Sequence, residues 1–149
     1  MIFIAHRGNV DGPEPELENN PEHIVEALNR GFDVEIDVWY HEDGWWLGHD
    51  KPQHEVAYSF LKKEDRLWIH CKDYKTLSKM MELRPHAINF FYHTNEDYVL
   101  TSQGFIWAYP DKPGGNNTIC VMPEWNNSSV DEFCGICSDY IERYLHLNP

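Results

Sequence analysis

Two acidic residues in one short apolar stretch, Glu35 and Asp37 in the segment FDVEIDV at 32–38, are the first candidates for chemistry in this sequence. Residues two apart on a strand share a face. Glu35 and Asp37 therefore point one way, and Val34, Ile36 and Val38 the other. Two carboxylates among apolar residues are costly to bury unless a cation or buried donors meet them. A divalent ion held by oxygen ligands, with Mg²⁺ or Ca²⁺ the natural candidates, would meet both. A half-exposed strand with a solvated acidic face gives the same pattern, and this segment alone does not separate the two readings.

Further polar residues fall where strands end. Residues 2–5 read as a buried strand delivering His6, Arg7 and Gly8; residues 45–48 lead to His49 and Asp50; residues 67–71 deliver Lys72. Two histidines, two carboxylates, an arginine and a lysine on one rim suit cleavage of a phosphodiester. A metal and the basic side chains would stabilise the phosphoryl oxygens. One histidine would take a proton from the nucleophile and the other give one to the leaving oxygen.

The elements that must position these groups can be read from turn and cap signals. A polar loop after Gly8 leads to Asn20 as N-cap and Pro21 at the first helical position. The helix PEHIVEALNR carries Ile24, Val25 and Leu28 on one face and stops at Gly31. Asp43-Gly44 marks a tight turn. A short helix is expected over 55–63 and a longer one over 73–83, stopping where Arg84 precedes Pro85. Strands follow at 87–92, 98–100, 105–109, 118–122 and 135–138, with a last helix around 140–147. Early strand–helix alternation indicates parallel pairing. The expected fold is a compact TIM-type (β/α)8 barrel in one domain, with several outer helices reduced to loops, because such barrels usually need about 250 residues and this chain has 149. A doubly wound open sheet is the alternative, but no Gly-rich phosphate loop follows the first strand.

The formal net charge of −13 argues against a phosphate-backbone binder of DNA or RNA. It leaves room for an anionic small substrate, because a local cation reverses the field at a site. No stretch has the ~20 apolar residues of a membrane span, so no membrane insertion is expected. MIFIAHRG reads as a short strand, not a signal peptide. Cys134 and Cys137 lie in what reads as a buried strand and have no second pair at metal spacing, so the four cysteines are expected to be reduced thiols of a cytoplasmic protein.

Taken together, HRG at 6–8, LENN at 17–20, EIDV at 35–38 and DGWWLGHD at 43–50 resemble the glycerophosphodiester phosphodiesterases, within the wider phosphatidylinositol-phospholipase-C-like barrels. Weaker echoes follow in WIHCKD at 68–73, FIWAYP at 105–110 and GICSDYI at 135–141. The resemblance implies metal-dependent hydrolysis of a small phosphodiester. His6 and His49 would be the acid–base pair, Glu35 and Asp37 metal ligands, and Arg7 and Lys72 phosphate contacts. Glu18 and Asn19 would brace the rim, Glu18 beside Arg7 and the substrate, and Trp107 and Tyr109 would line the cleft. The family's third metal-binding Glu, two residues before the Lys, is here His70. Imidazole suits Zn²⁺ or Mn²⁺ better than Mg²⁺ or Ca²⁺. His93 and Glu124 are further candidates for the rim.

Longer relatives carry substrate-recognition inserts that are absent here, so the expected rim is open and suits a small headgroup. Missing helices would expose the outer wall, and a homodimer is expected to cover it. A binding protein that has lost turnover, or a related barrel that forms a cyclic phosphate, would keep the same residues.

Overall fold

The computed structural model describes residues 1–62, 65–83 and 86–147. Within them the strands are β1 (Ile2–His6), β2 (Asp33–His41), β3 (Gly44–Leu47), β4 (His54–Val56), β5 (Leu67–Cys71), β6 (Asn89–Phe91), β7 (Tyr98–Leu100), β8 (Ile106–Ala108), β9 (Thr118–Val121) and β10 (Gly135–Ser138). One sheet contains them all. Its heart is a parallel run in the order β6-β5-β2-β1-β10-β9-β8. Antiparallel strands are added to it: β3 turns back along the end of β2, β4 pairs with β3, and β7 pairs with β8.

The helices are α1 (Pro21–Asn29), α2 (Tyr58–Leu61) and α3 (Tyr74–Leu83), with 3-10 segments at Pro123–Trp125 and Ile141–Leu147. This curled half-barrel sheet is not the (β/α)8 barrel expected from the sequence. A parallel pair needs a crossover, but only α1, between β1 and β2, and α3, between β5 and β6, fill one with a helix of two turns or more. The crossover from β2 to β5 runs through β3, β4 and the single turn α2, and the crossovers among β8, β9 and β10 contain no α-helix. No ladder joins β6 to β8 among the described residues. The two ends of the parallel run meet only through contacts such as the Ser102 N–H to the Phe90 carbonyl, 2.9 Å, and the rings of Phe91 and Trp107, 4.7 Å between centroids.

Local signals explain the elements that did form. The Asn20 side chain accepts from the Glu22 N–H at 2.9 Å, Pro21 opens α1, and Gly31 takes φ 96 just beyond its end. The buried face of α1 is Ile24, Ala27 and Leu28, with Val25 only half-buried. Glu42 and Asp43 turn β2 into β3 with φ 49 and 60. The helix expected over 55–63 is β4 followed by α2, and its last residue, Lys63, lies outside the described residues, as do Arg84 and Pro85. No helix among the described residues is long and apolar enough to cross a membrane.

Alternation along β2 determines what faces the inside of the curl. Val34, Ile36 and Val38 are fully buried in the core that also takes α1 and α3. Each such side chain contributes roughly 1.5–3 kcal/mol, and a one-residue slip would turn all of them out. The register is therefore held, and Glu35 and Asp37 are forced to the opposite, inner face. A second apolar cluster of Ile4, Trp68, Phe91, Trp107, Ile119, Val121, Met122 and Cys137 fills that inner side. It lies beneath the C-terminal ends of the parallel strands.

Gly48 ends β3 where the chain returns toward the site: its N–H donates to the Asp37 carbonyl at 3.1 Å and its carbonyl accepts from Trp39 Nε1 at 2.7 Å. A Cβ there would collide with the Lys51 carbonyl oxygen, whereas one at Gly115 would meet open space. Gly48→Ala should cost about 1–3 kcal/mol, a fall in Tm of roughly 2–10 °C, with Gly115→Ala near neutral. Equal melting temperatures for the two variants would contradict this packing.

Candidate functional site

The strand ends bring the polar residues together one by one. His6 closes β1, and Arg7 follows it in the left-handed region, φ 54, with its N–H on the Glu35 carbonyl at 2.9 Å. On β2, Glu35 and Asp37 are 3% and 1% exposed, so the solvated acidic face is ruled out. β5 runs parallel to β2 with His70 opposite Asp37, and Lys72 follows at its end.

Asp37 is saturated with donors. Its Oδ1 lies 3.0 Å from His70 Nδ1 and 3.1 Å from Lys72 Nζ. Its Oδ2 accepts from Asn19 Nδ2 at 2.9 Å and lies 3.0 Å from Arg7 Nε, an ion-pair contact not aligned as a hydrogen bond. Asn19, itself left-handed at φ 60, also accepts from the Asp37 N–H at 2.8 Å. Burial alone would raise the Asp37 pKa, but the His70 bond and the Lys72 and Arg7 charges hold it well below the carboxylate range.

Glu35 is the opposite case. Burial first, and the Asp37 charge second, push its pKa up. Its Oε2 is buried without a hydrogen-bond partner, 3.9 Å from His6 Nε2, and its Oε1 is 3.9 Å from His70 Nδ1.

The residue that holds His6 is one that sequence reading missed. Asp139, just past β10, binds His6 Nδ1 at 2.8 Å. Burial would lower the His6 pKa, yet the Asp139 bond and the Glu35 charge leave it raised. Asn9 spans the rim, donating to Asp139 Oδ1 at 2.8 Å and to Glu18 Oε1 at 3.0 Å, while Glu18 Oε2 accepts from Arg7 Nη1 at 2.9 Å. Glu124 does not line the cavity. Its Oε1 accepts from Ser138 Oγ and the Asp139 N–H and so braces the Asp139 turn. The signal for Asp139 was an acidic residue directly after a buried strand, the rule that picks out His49 and Lys72.

One cavity of about 460 Å³ is lined by His6, Arg7, Glu18, Glu35, Asp37, His49, His70, Lys72 and Trp107, and by His93 and Tyr109, whereas Asn19 and Glu124, also expected at the rim, do not line it. His49 stands at its open edge, 44% exposed, with Nδ1 2.7 Å from Asp50. Partial burial, then the Arg7 charge, lowers its pKa. His93 stacks on His70, centroids 4.2 Å apart and planes within 6°, and burial with the His70 and Lys72 charges pushes it down to about 4.

Ligand atoms of Glu35, Asp37 and His70 lie within 4.8 Å of one another, a geometry that fits a divalent cation. The unpartnered Glu35 Oε2 supplies an open oxygen. Asp37 Oδ1 and His70 Nδ1 would exchange their mutual bond for the ion, while Oδ2 stays with Asn19 and Arg7. No protein-family model, curated protein or solved structure significantly matches the chain.

Asp139→Asn removes the partner of protonated His6, so the His6 pKa should fall, as read from its imidazole resonances in a pH titration; an unchanged pKa would contradict the pairing. Because the Glu35 pKa is raised in the fold, its ionisation weakens the metal-free protein as pH climbs above the carboxylate range. In a chelator near pH 7.5, Glu35→Gln should therefore stabilise the protein by about 1–3 kcal/mol, a gain in Tm of roughly 2–10 °C. A loss of stability would contradict the buried, unmet charge.

Proposed function

We propose that this protein is a metal-dependent phosphodiester hydrolase acting on small glycerophosphodiester-like molecules, in keeping with its motif resemblance to that family. The observation that supports it most is the unmet Glu35 oxygen beside Asp37 and His70, in a cavity that also holds Arg7, Lys72, His6 and His49. A bound divalent ion would supply electrostatic stabilisation of the phosphoryl charge, as metal sites in hydrolases do.

The chain's own residues account for the rest. Arg7 and Lys72 draw the phosphate to the Asp37 side of the cavity, and Glu18 and Asn9 keep the guanidinium in place. His49, its pKa lowered, takes a proton from the attacking water. The water oxygen bonds to phosphorus, the ester P–O bond to the leaving alcohol breaks, and His6 gives that oxygen a proton. Asp139 on His6 Nδ1 orients the other ring nitrogen into the cavity and keeps it charged. A phosphodiester-binding protein without turnover is the second reading. It is favoured by one observation, the His70 and Lys72 donors already on Asp37 Oδ1.

Hydrolysis of a bis-aryl phosphodiester across Mg²⁺, Ca²⁺, Mn²⁺ and Zn²⁺ tests the choice. Turnover should require one of these ions and fall by about 10²–10⁴-fold in His6→Ala, and Glu35→Ala should abolish the ion-dependent turnover. The rate should be bell-shaped in pH, falling on the acid side as His49 protonates below its ordinary value and on the alkaline side as His6 deprotonates above its own. Binding without turnover for any ion would favour the second reading.

A further inference from the structure

Resting on the hydrolase reading, we propose that one alcohol of the substrate carries a flat nitrogen heterocycle, of the nucleoside type, seated against Trp107, Tyr109 and Trp125. The lining of the cavity is of two kinds. One is the charged set around Asp37 and His6, which includes Asp139 beside His6. The other is His93, Thr94, Trp107, Tyr109, Met122 and Trp125, with no carboxylate and no permanently charged cation among them.

The rings of this wall are held in place. His70, Phe91 and His93 lie parallel within 7°, and Tyr109 stands upright to His93 at 81° with centroids 6.1 Å apart. Trp125 sits on a fixed turn: Met122 takes φ 48, its N–H bonds the Cys137 carbonyl at 2.8 Å, Pro123 follows, and the Trp125 N–H returns to the Met122 carbonyl at 3.1 Å. A left-handed Met is uncommon, and such conformations collect at ligand sites. Trp125 is nevertheless 61% exposed and Tyr109 40%, and Trp125 has no aromatic partner among the described residues.

Hydrogen bonding decides which flat or apolar group fits. Among the described residues, the indole N–H of Trp107, that of Trp125 and the hydroxyl of Tyr109 have no protein partner, yet none is sealed from solvent. The wall thus offers ring faces together with spare donors. An alkyl chain has no acceptor for them, and a quaternary ammonium, though ring faces attract it, has none either. A nitrogen heterocycle presents a π-face for stacking and ring acceptors at its edge. The phosphate then falls on Arg7 and Lys72.

The test compares glycerol phosphodiesters that differ only in the second alcohol: adenosine, choline or hexanol. The adenosine diester should be favoured at least about ten-fold in kcat/KM. Trp125→Ala should erase that preference, Trp125→Phe should keep most of it, and Tyr109→Phe should raise KM several-fold with little change in kcat. Equal rates on all three diesters, unaltered in Trp125→Ala, would overturn the heterocycle seat and leave the hydrolase intact. If no diester is cleaved, the hydrolase reading fails instead. Adenosine 5′-monophosphate against choline phosphate, followed by indole N–H resonances, then decides: selective shifts of Trp107 and Trp125 uphold the seat, and their absence overturns it.

Discussion

The Asp37 carboxylate ties together segments that lie far apart in the chain. Its oxygens meet Arg7 after β1, Asn19 before α1, and His70 and Lys72 at the end of β5. Low dielectric makes these contacts strong, and it makes each group expensive to leave alone. Removing one donor would leave part of a buried carboxylate unmet. The apolar residues alternating with it, Ile36 and Val38, keep β2 from slipping, so the hydrophobic core on one side of the sheet sets the electrostatics on the other.

Glu35 shows what that constraint leaves over. Two residues away on the same face, it has no comparable set of donors, and burial works against its charge. A fold selected for stability alone would place an apolar side chain or an amide there. An ionisable group kept at such a site is the kind of local inconsistency expected where function is served. The stacked pair His70 and His93 sets ring faces beside the charges, so the lining of one cavity contains both charged and aromatic residues.

Much of the site was legible in the sequence, because it depends on local rules. Alternation put Glu35 and Asp37 on one face, and polar residues directly after buried strands marked His6, His49 and Lys72. The Asn20-Pro21 start of α1 and the Asp43-Gly44 turn were visible for the same reason. Pairing between distant strands was not. Asp139 meets His6 only because β10 lies beside β1, and nothing near either residue encodes that neighbour. The fold was misjudged on the same ground: alternation tells which face is buried, but not that β3, β4 and β7 would run antiparallel or that crossovers after β8 would lack helices. His70 stands where the resemblance calls for a Glu and was read as a ligand that shifts the ion preference; its place opposite Asp37 on the next strand came only with the structure.

Calorimetric titration of chelator-stripped protein with Mg²⁺, Ca²⁺, Mn²⁺ and Zn²⁺ tests the central claim most directly, because it needs neither substrate nor turnover. One saturable ion per chain, lost in Glu35→Gln, is the predicted result. No binding of any ion, or binding unchanged in Glu35→Gln, would contradict the account.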